Sequence, residues 1–192
     1  MSGTRTRRSD EEVVEAIRTA VLDQLAEAGY ASVTFEGIAR RAGTSKPVLY
    51  RRYRSRAQMV LDAIGQSASR QRPPRLTGSL RSDLVAVLTG MARQFTRFSP
   101  DVYRGLVGEA DDRLVVEGIA ALGAVTARAL TAAYDDARAR GELGPTPIPA
   151  SVADLPMTVL RHDLMVVQPF DPRSIPGLVD QVFLPLLAAT AR

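Results

Sequence analysis

The feature that most constrains the fold is a pair of short predicted helices joined by a turn that contains a glycine. The first helix is predicted over residues 35–42, with Thr34 as its N-cap, and Gly43 ends it because glycine tolerates a left-handed backbone. The second begins after Ser45 and runs to about Tyr53. Two helices of about eight residues joined by a turn of three or four residues are typical of a helix-turn-helix motif.

The second helix of such a motif presents its first turn to base edges in the major groove. Leu49 and Tyr53 lie four residues apart and are predicted to pack inward, which places Tyr50 nearer the opposite face. Helix N-termini attract phosphates, so Thr34 and Arg56, each at a helix start, are predicted to contact the DNA backbone. The predicted DNA-contacting residues are Thr34, Thr44, Ser45, Lys46, Pro47, Val48, Tyr50, Arg51, Arg52 and Arg56.

Basic residues are concentrated in the same region. Seven of them lie from Arg40 to Arg56, and no acidic residue lies between Glu36 and Asp62, although the net charge of the chain is only +4. A short basic block in an otherwise balanced chain is the footprint expected of a surface that binds a polyanion. The alternative interpretation is an ordinary solvated helix face. The helix-turn-helix spacing favours DNA binding.

The rest of the chain also has helical periodicity. The fold class is predicted to be all-α, with about nine helices in all. The N-terminal helix-turn-helix DNA-binding domain is predicted over residues 1–54 with three helices, and a helical ligand-sensing and dimerisation domain over 55–192, to which a helix at 55–72 links it. Ser55 and Gln58 have the spacing of a capping box at the start of that linking helix. Further helices are predicted over 82–98, 102–110, 112–140, 151–167 and 172–191, with interruptions at Pro156, Pro176 and Pro185.

Several classes of function are excluded by composition. The chain has no cysteine and one histidine, which argues against thiolate chemistry, sulfur-based zinc sites and a Ser-His-Asp triad. Asp111 and Asp112 are adjacent and do not share a helical face, so they do not form a carboxylate pair. We therefore expect neither an enzyme nor a cofactor. No apolar run approaches a membrane span and no signal peptide is evident, so a cytoplasmic protein without membrane contact is expected.

The residues of the predicted motif resemble the TetR family of bacterial one-component transcriptional regulators. The stretch from Thr34 to Ser45 matches the family pattern Thr-x-x-x-Ile-Ala-x-x-Ala-Gly-x-Ser. Leu49-Tyr50-x-x-Tyr53-x-x-Arg56 matches Leu-Tyr-x-x-Phe-x-x-Lys, with tyrosine for phenylalanine and arginine for lysine. Both departures keep the chemistry, an aromatic core residue and a cation at a helix start. A weaker resemblance, from Gly141 to Leu187, is to one common C-terminal subclass.

The resemblance implies a homodimer that binds double-stranded DNA at a palindromic operator, most often as a repressor, and releases it when a small-molecule effector binds the C-terminal domain. It also implies that positions 46–48 face the bases and that Tyr50 and Arg56 contact phosphates. The alternative is a DNA-binding protein that is independent of ligand or controlled by a protein partner. Such a protein would have a filled C-terminal body and an operator affinity insensitive to small molecules.

Two sets of apolar residues in the body are candidates for function. Flexible or aromatic side chains suit an effector pocket, although each is also a plausible core residue, and an ordinary solvated or hydrogen-bonded role is the alternative for the histidine. The pocket candidates are Met91, Phe95, Phe98, Tyr103, Met157, Leu160 and His162. The apolar terminal helices suit a four-helix dimer interface, with an intrachain core as the alternative. The interface candidates are Leu164, Val167, Ile175, Val179, Val182, Phe183, Leu186 and Leu187.

Overall fold

The computed structural model of the chain describes residues 9–98, 100–166 and 169–192. All regular secondary structure in these ranges is helical, as the sequence predicts. The helices are α1 (Asp10–Ala28), α2 (Phe35–Ala42), α3 (Lys46–Arg52), α4 (Arg56–Ser69), α5 (Leu80–Thr96), α6 (Pro100–Glu109), α7 (Asp112–Ala139), α8 (Ala150–Ala153), α9 (Leu155–Val166), α10 (Ile175–Leu178) and α11 (Leu184–Thr190).

The chain divides into two compact units that do not follow chain order. The first unit contains the residues through Ser67 together with Asp101–Gly118, so most of α6 packs with the N-terminal helices. Within it, α1 contacts α2, and α2 contacts α3. Apolar side chains spaced at helical intervals fill its core, among them Ile17, Val21, Ile38, Leu49 and Met59.

The ends of the two motif helices follow local signals in the sequence. The Thr34 hydroxyl accepts a hydrogen bond from the Gly37 N–H at 3.0 Å and caps α2. Gly43 ends α2 with φ of 64°, which only glycine adopts without strain. The predicted bounds of α2 are confirmed. The following helix is one residue shorter than predicted, because Tyr53 adopts an extended conformation.

The start of α4 differs from the predicted capping box. The Ser55 hydroxyl accepts from the Gln58 N–H at 3.1 Å, which is the expected half of the motif. The Gln58 side chain instead accepts from the Arg54 N–H at 2.7 Å rather than returning to Ser55. The capping box is therefore incomplete, and the Gln58 side chain instead binds the backbone of Arg54, the residue before Ser55.

The second unit contains Ala68–Pro100 and Ile119–Arg192. Within it, α5 contacts α9 and α10. Its core includes Leu84, Leu88, Leu130, Leu160 and Phe183.

The last two predicted helices of the second unit are interrupted. The first is divided at Asp154 into α8 and α9. The second starts as a 3₁₀ turn at Pro172–Ser174 and widens to a π-turn over Val179–Phe183. Pro185 has no N–H to donate to the fourth residue before it, which accounts for a wider turn at this point.

The helix α7 is long and apolar enough to cross a membrane by length and composition alone. The sequence has no uninterrupted apolar run of that length here, because Arg128 divides the apolar stretch of the helix. The core helix of a soluble protein passes the same test, and the share of the apolar window that is buried is 31%. One such helix is weak evidence for membrane insertion.

Candidate nucleic-acid interface

The outward face of α3 is polar, basic and open to solvent. Lys46, Pro47, Tyr50 and Arg51 are exposed, and Tyr50 has 62% of its surface accessible. Leu49 is buried on the opposite face, as its spacing predicts. The first turn of α3 therefore presents the residues that a recognition helix needs on its surface.

The Tyr50 ring is held in place by a stacking contact. It lies parallel to the Phe35 ring, with a centroid distance of 4.5 Å and an angle of 3° between the planes. Phe35 is the first residue of α2, so the contact joins both helices of the motif. An aromatic pair of this kind orients an exposed ring without burying it. The phenol oxygen is thereby carried on a pre-positioned ring.

Lys46 forms an exposed ion pair with a residue of the preceding helix. Its Nζ atom lies 2.6 Å from Glu36 Oε2. The hydrogen bond to Glu36 raises the pKa of Lys46 and lowers that of Glu36, so both groups are charged at neutral pH. Exposed ion pairs of this type are weak and screened by salt. A base edge or a phosphate can therefore compete with Glu36 for the Lys46 ammonium group.

The remaining small residues of the motif differ in how free they are. The Thr34 side chain is exposed and serves as the α2 cap. Ser45 is exposed at the N-cap position of α3, and its hydroxyl makes no capping hydrogen bond to the helix. Thr44 and Val48 are half-buried. Ser45 is the small polar residue best placed to donate a hydrogen bond outward.

The arginines around α3 divide into two groups. Arg52 is half-buried and forms an ion pair with Asp10 of α1, so its side chain is directed toward another helix of the first unit. Arg40, Arg51 and Arg54 are exposed, and within the described ranges their side chains enter no ion pair. These three cations are available to phosphates, and two of them, Arg40 and Arg54, were not among the predicted contacts.

Arg56 is engaged by α6 within the first unit. Its Nε atom donates to Glu109 Oε2 at 2.9 Å, and Nη2 donates to the same oxygen. The guanidinium carbon lies 4.4 Å from the centroid of the Tyr30 ring. A Cβ atom on Gly105 of α6 would lie 2.4 Å from the same ring, so α6 approaches Tyr30 closely. Arg56 is thus held against Tyr30 by a carboxylate of α6.

The charges of the Arg56–Glu109 ion pair do not change with pH near neutrality. The Arg56 hydrogen bond lowers the pKa of Glu109 from its usual value of 4.5. A depressed pKa stabilises the folded state above that value, and the stabilisation is lost only as pH falls through the lowered pKa. Burial raises the pKa of Tyr30 to about 12, so its hydroxyl stays neutral. The contact therefore does not titrate between about pH 6 and pH 8.

A small cavity lies inside the second unit, among α5, α7 and α9. Its volume is about 20 Å³, and it is lined by Met91, Phe95, Leu122, Gly123, Thr126, Met157, Arg161 and Met165. Three of the predicted pocket residues, Met91, Phe95 and Met157, meet there.

The other predicted pocket residues lie elsewhere. Phe98 and Leu160 are buried but do not line this cavity, and Tyr103 belongs to the first unit. His162 is exposed and lies 3.2 Å from Asp163 through Nδ1. Sequence reasoning missed Arg161, although its position four residues after Met157 places both on one helix face.

The candidate interface residues are mostly packed inside the second unit. Val182 is 40% exposed and Leu186 is half-buried, so these two face outward. Val167 lies outside the described residues. The remaining five are buried against the chain's own helices: Leu164, Ile175, Val179, Phe183 and Leu187. The predicted dimer interface therefore rests on Val182 and Leu186 among the described candidates.

Two family models match the chain. Residues 17–63 match bacterial regulatory proteins of the tetR family, which covers α2 and α3. Residues 74–182 match the tetracyclin repressor-like C-terminal domain. The N-terminal match contains the exposed face of α3, and the C-terminal match contains the cavity.

Similar proteins lead to the same family. The uncharacterized HTH-type transcriptional regulator YdeS of Bacillus subtilis is 34% identical over 119 residues, 61% of this chain, and the match spans only 60% of that protein. The DNA-binding transcriptional repressor TetR of Mycobacteroides abscessus is 29% identical over 188 residues, 92% of this chain and 95% of that protein. The structure of the fatty acid degradation regulator FadR of Bacillus halodurans shares the fold, with a TM-score of 0.61, 14% identity, and coverage of 95% of this chain and 97% of that one. This chain belongs to the TetR family of helix-turn-helix transcriptional regulators and is not an enzyme.

Proposed function

We propose that the chain is a cytoplasmic repressor that binds a palindromic operator as a homodimer and is released by a small-molecule effector in its C-terminal part. The observation that carries the proposal is the outward face of α3, where Lys46, Tyr50 and Arg51 are exposed. The M. abscessus relative, described as a DNA-binding transcriptional repressor, supports the direction of control. Residues 1–54 together with Arg56 would supply the DNA contacts, and the rest of residues 55–192 the effector site and the dimer interface.

A dimer is proposed because one helix-turn-helix DNA-binding domain makes too few contacts for specific binding at physiological salt. Two heads related by a twofold axis require half-sites about 34–36 Å apart on one face of the duplex, or a multiple of that distance. Val182 and Leu186 supply outward apolar surface for the pairing. In some conformations of the dimer, the spacing of the two DNA-binding domains does not match the half-sites. An effector that binds such a conformation more tightly would shift the population away from the operator-bound state.

The Lys46→Ala variant is expected to lose both affinity and sequence discrimination. Lys46 lies in the first turn of α3, where a side chain reaches base edges, and a good base contact is worth about 1–3 kcal/mol. The measurement is in vitro selection from random duplexes with the wild type and with the variant. Arg40→Ala is the control, because it removes the same positive charge from a different exposed position. The control should weaken binding with an unchanged consensus. An unchanged consensus for Lys46→Ala would remove Lys46 from base recognition.

The Arg56–Glu109 ion pair is expected to restrain DNA binding. We infer that phosphate and Glu109 compete for the Arg56 guanidinium, because both use the same donors. Glu109→Gln should therefore tighten operator binding several-fold. Arg56→Ala should weaken binding to all sequences. It should also reduce the slope of log K against log salt concentration by about 0.9 for each DNA-binding domain of the dimer. Binding is measured by fluorescence anisotropy from low to moderate salt.

The matched control for this pair is Arg128→Gln, which removes one exposed charge from α7 in the second unit. It should leave the salt slope unchanged. Should Arg56→Ala keep the wild-type slope, the phosphate role of Arg56 is wrong. Should Glu109→Gln bind no more tightly than the wild type, the competition is absent.

The second candidate is a DNA-binding protein that no small molecule controls. The small volume of the cavity favours it, since about 20 Å³ holds about one water molecule. In that case operator affinity would not respond to any small molecule, while the effects of the Lys46 and Arg56 variants would remain.

A further inference from the structure

Arg161 is the charged member of an otherwise largely apolar cavity wall. Its side chain is half-buried on α9, and within the described ranges it forms no ion pair and no hydrogen bond. Other arginines of the second unit are paired, such as Arg140 with Glu142 at 2.7 Å and Arg81 with Asp180 at 2.7 Å. Because no carboxylate of the described residues pairs with it, the partly exposed Arg161 guanidinium is open to an anionic group from solution.

The rest of the cavity wall is adaptable. Of the five methionines in the chain, three line this one cavity: Met91, Met157 and Met165. A thioether side chain fills irregular space and changes rotamer at low cost. Gly123 faces Met157, because a Cβ atom there would lie 3.1 Å from the Met157 sulfur. The absence of a side chain at this position of α7 lets the Met157 thioether pack directly against Gly123.

We propose that this cavity enlarges around an apolar carboxylate, with the carboxylate bound by Arg161 and the apolar chain between the three methionine side chains. The inference rests on the proposed function and specifies the chemical class of its effector. Thr126, the other polar residue of the wall, is buried on α7 and offers a hydroxyl to the same group. An arginine fork binds a carboxylate through two parallel hydrogen bonds. A cationic ligand would be repelled at this site.

The test compares three ligands of equal chain length: decanoate, decanol and decyltrimethylammonium, each below its micellar concentration. Thermal unfolding and calorimetric titration of the full chain are the readouts. Decanoate is expected to raise Tm by about 3 °C or more and to bind at least about tenfold more tightly than decanol. The ammonium compound is expected to leave Tm unchanged. In Arg161→Gln the advantage of decanoate over decanol should disappear. The matched control Arg93→Gln, an exposed arginine of α5, should keep it.

A second variant tests the space rather than the charge. Gly123→Leu fills the cavity beside Met157, favours the helix over glycine, and should abolish binding of decanoate and of decanol. Equal affinity for decanol and decanoate, unchanged selectivity in Arg161→Gln, or no binding of any of the three compounds would each overturn the inference. Operator binding is measured on the same samples. Retained operator binding without decanoate binding defeats only this inference, whereas loss of operator selectivity defeats the proposed function.

Discussion

Tyr50→Ala is expected to weaken operator binding by about 100-fold without unfolding the protein. A hydrogen bond from the phenol to a phosphate is worth about 1.5 kcal/mol per head, and two heads double this to about 3 kcal/mol. The stacked position on Phe35 adds to the effect, because the ring is ordered before DNA binds. With 62% of its surface exposed, Tyr50 contributes little to the core, so the free energy of unfolding should change by less than about 1 kcal/mol.

Tyr50→Phe is the matched control, since it keeps the ring and removes only the hydroxyl. If the hydroxyl contacts a phosphate, this variant carries most of the loss, and the loss is similar for all sequences. If the ring itself contacts a base, Tyr50→Phe binds like the wild type and only the alanine variant fails. Wild-type affinity in both variants would place Tyr50 outside the interface.

Asp83→Ala is expected to lower the free energy of unfolding by about 3 kcal/mol. Asp83 is fully buried near the start of α5, and its Oδ1 atom accepts from both the backbone N–H and the hydroxyl of Thr77, at 2.6 and 2.8 Å. Its Oδ2 atom lies 3.7 Å from Arg140 Nη2. Removing the carboxylate loses both hydrogen bonds from Thr77 and the charge opposite Arg140, and leaves a cavity behind. Denaturant unfolding followed by circular dichroism measures the loss.

The control is Asp83→Asn, which keeps the shape and an acceptor for Thr77. It should cost about 1 kcal/mol, because only the charge opposite Arg140 is lost, and Arg140 retains Glu142 and Asp136 as partners. An alanine variant within about 1 kcal/mol of the wild type would show that this carboxylate does not hold α5.

The helix-turn-helix motif could be predicted from sequence because its signals are local. Thr34 and Gly43 set the ends of α2 through contacts with residues a few positions away. Leu49 follows the same logic, since helical spacing alone directs it inward. The exposed face of α3 then follows by exclusion.

The surroundings of the site depend on contacts between distant residues, which sequence spacing does not reveal. Arg56 and Glu109 are 53 positions apart, and no periodicity connects them. Arg52 similarly pairs with Asp10, 42 positions away. A basic residue in a DNA-binding head is therefore predicted to face DNA even where the fold directs it to an internal carboxylate.

The terminal helices show a second limit. Ile175, Val179 and Phe183 are apolar at helical spacing, a pattern that suits a dimer interface and an intrachain core equally well. The structure buries them within the second unit. Prolines in the same segment correctly predicted interruptions, but not that one of them would widen the helix into a π-turn at Val179–Phe183. A proline in the sequence indicates that a helix is interrupted, whereas the type of interruption depends on how the segment packs in the folded chain.

Competition binding of the full chain tests whether the exposed face of α3 recognises DNA sequence. A duplex selected from random sequence is titrated against a scrambled duplex of the same composition at physiological salt. We expect a twofold-symmetric consensus, two chains per duplex and a preference of at least about a thousandfold, which Tyr50→Ala reduces sharply. Equal affinity for the selected and scrambled duplexes would contradict this expectation.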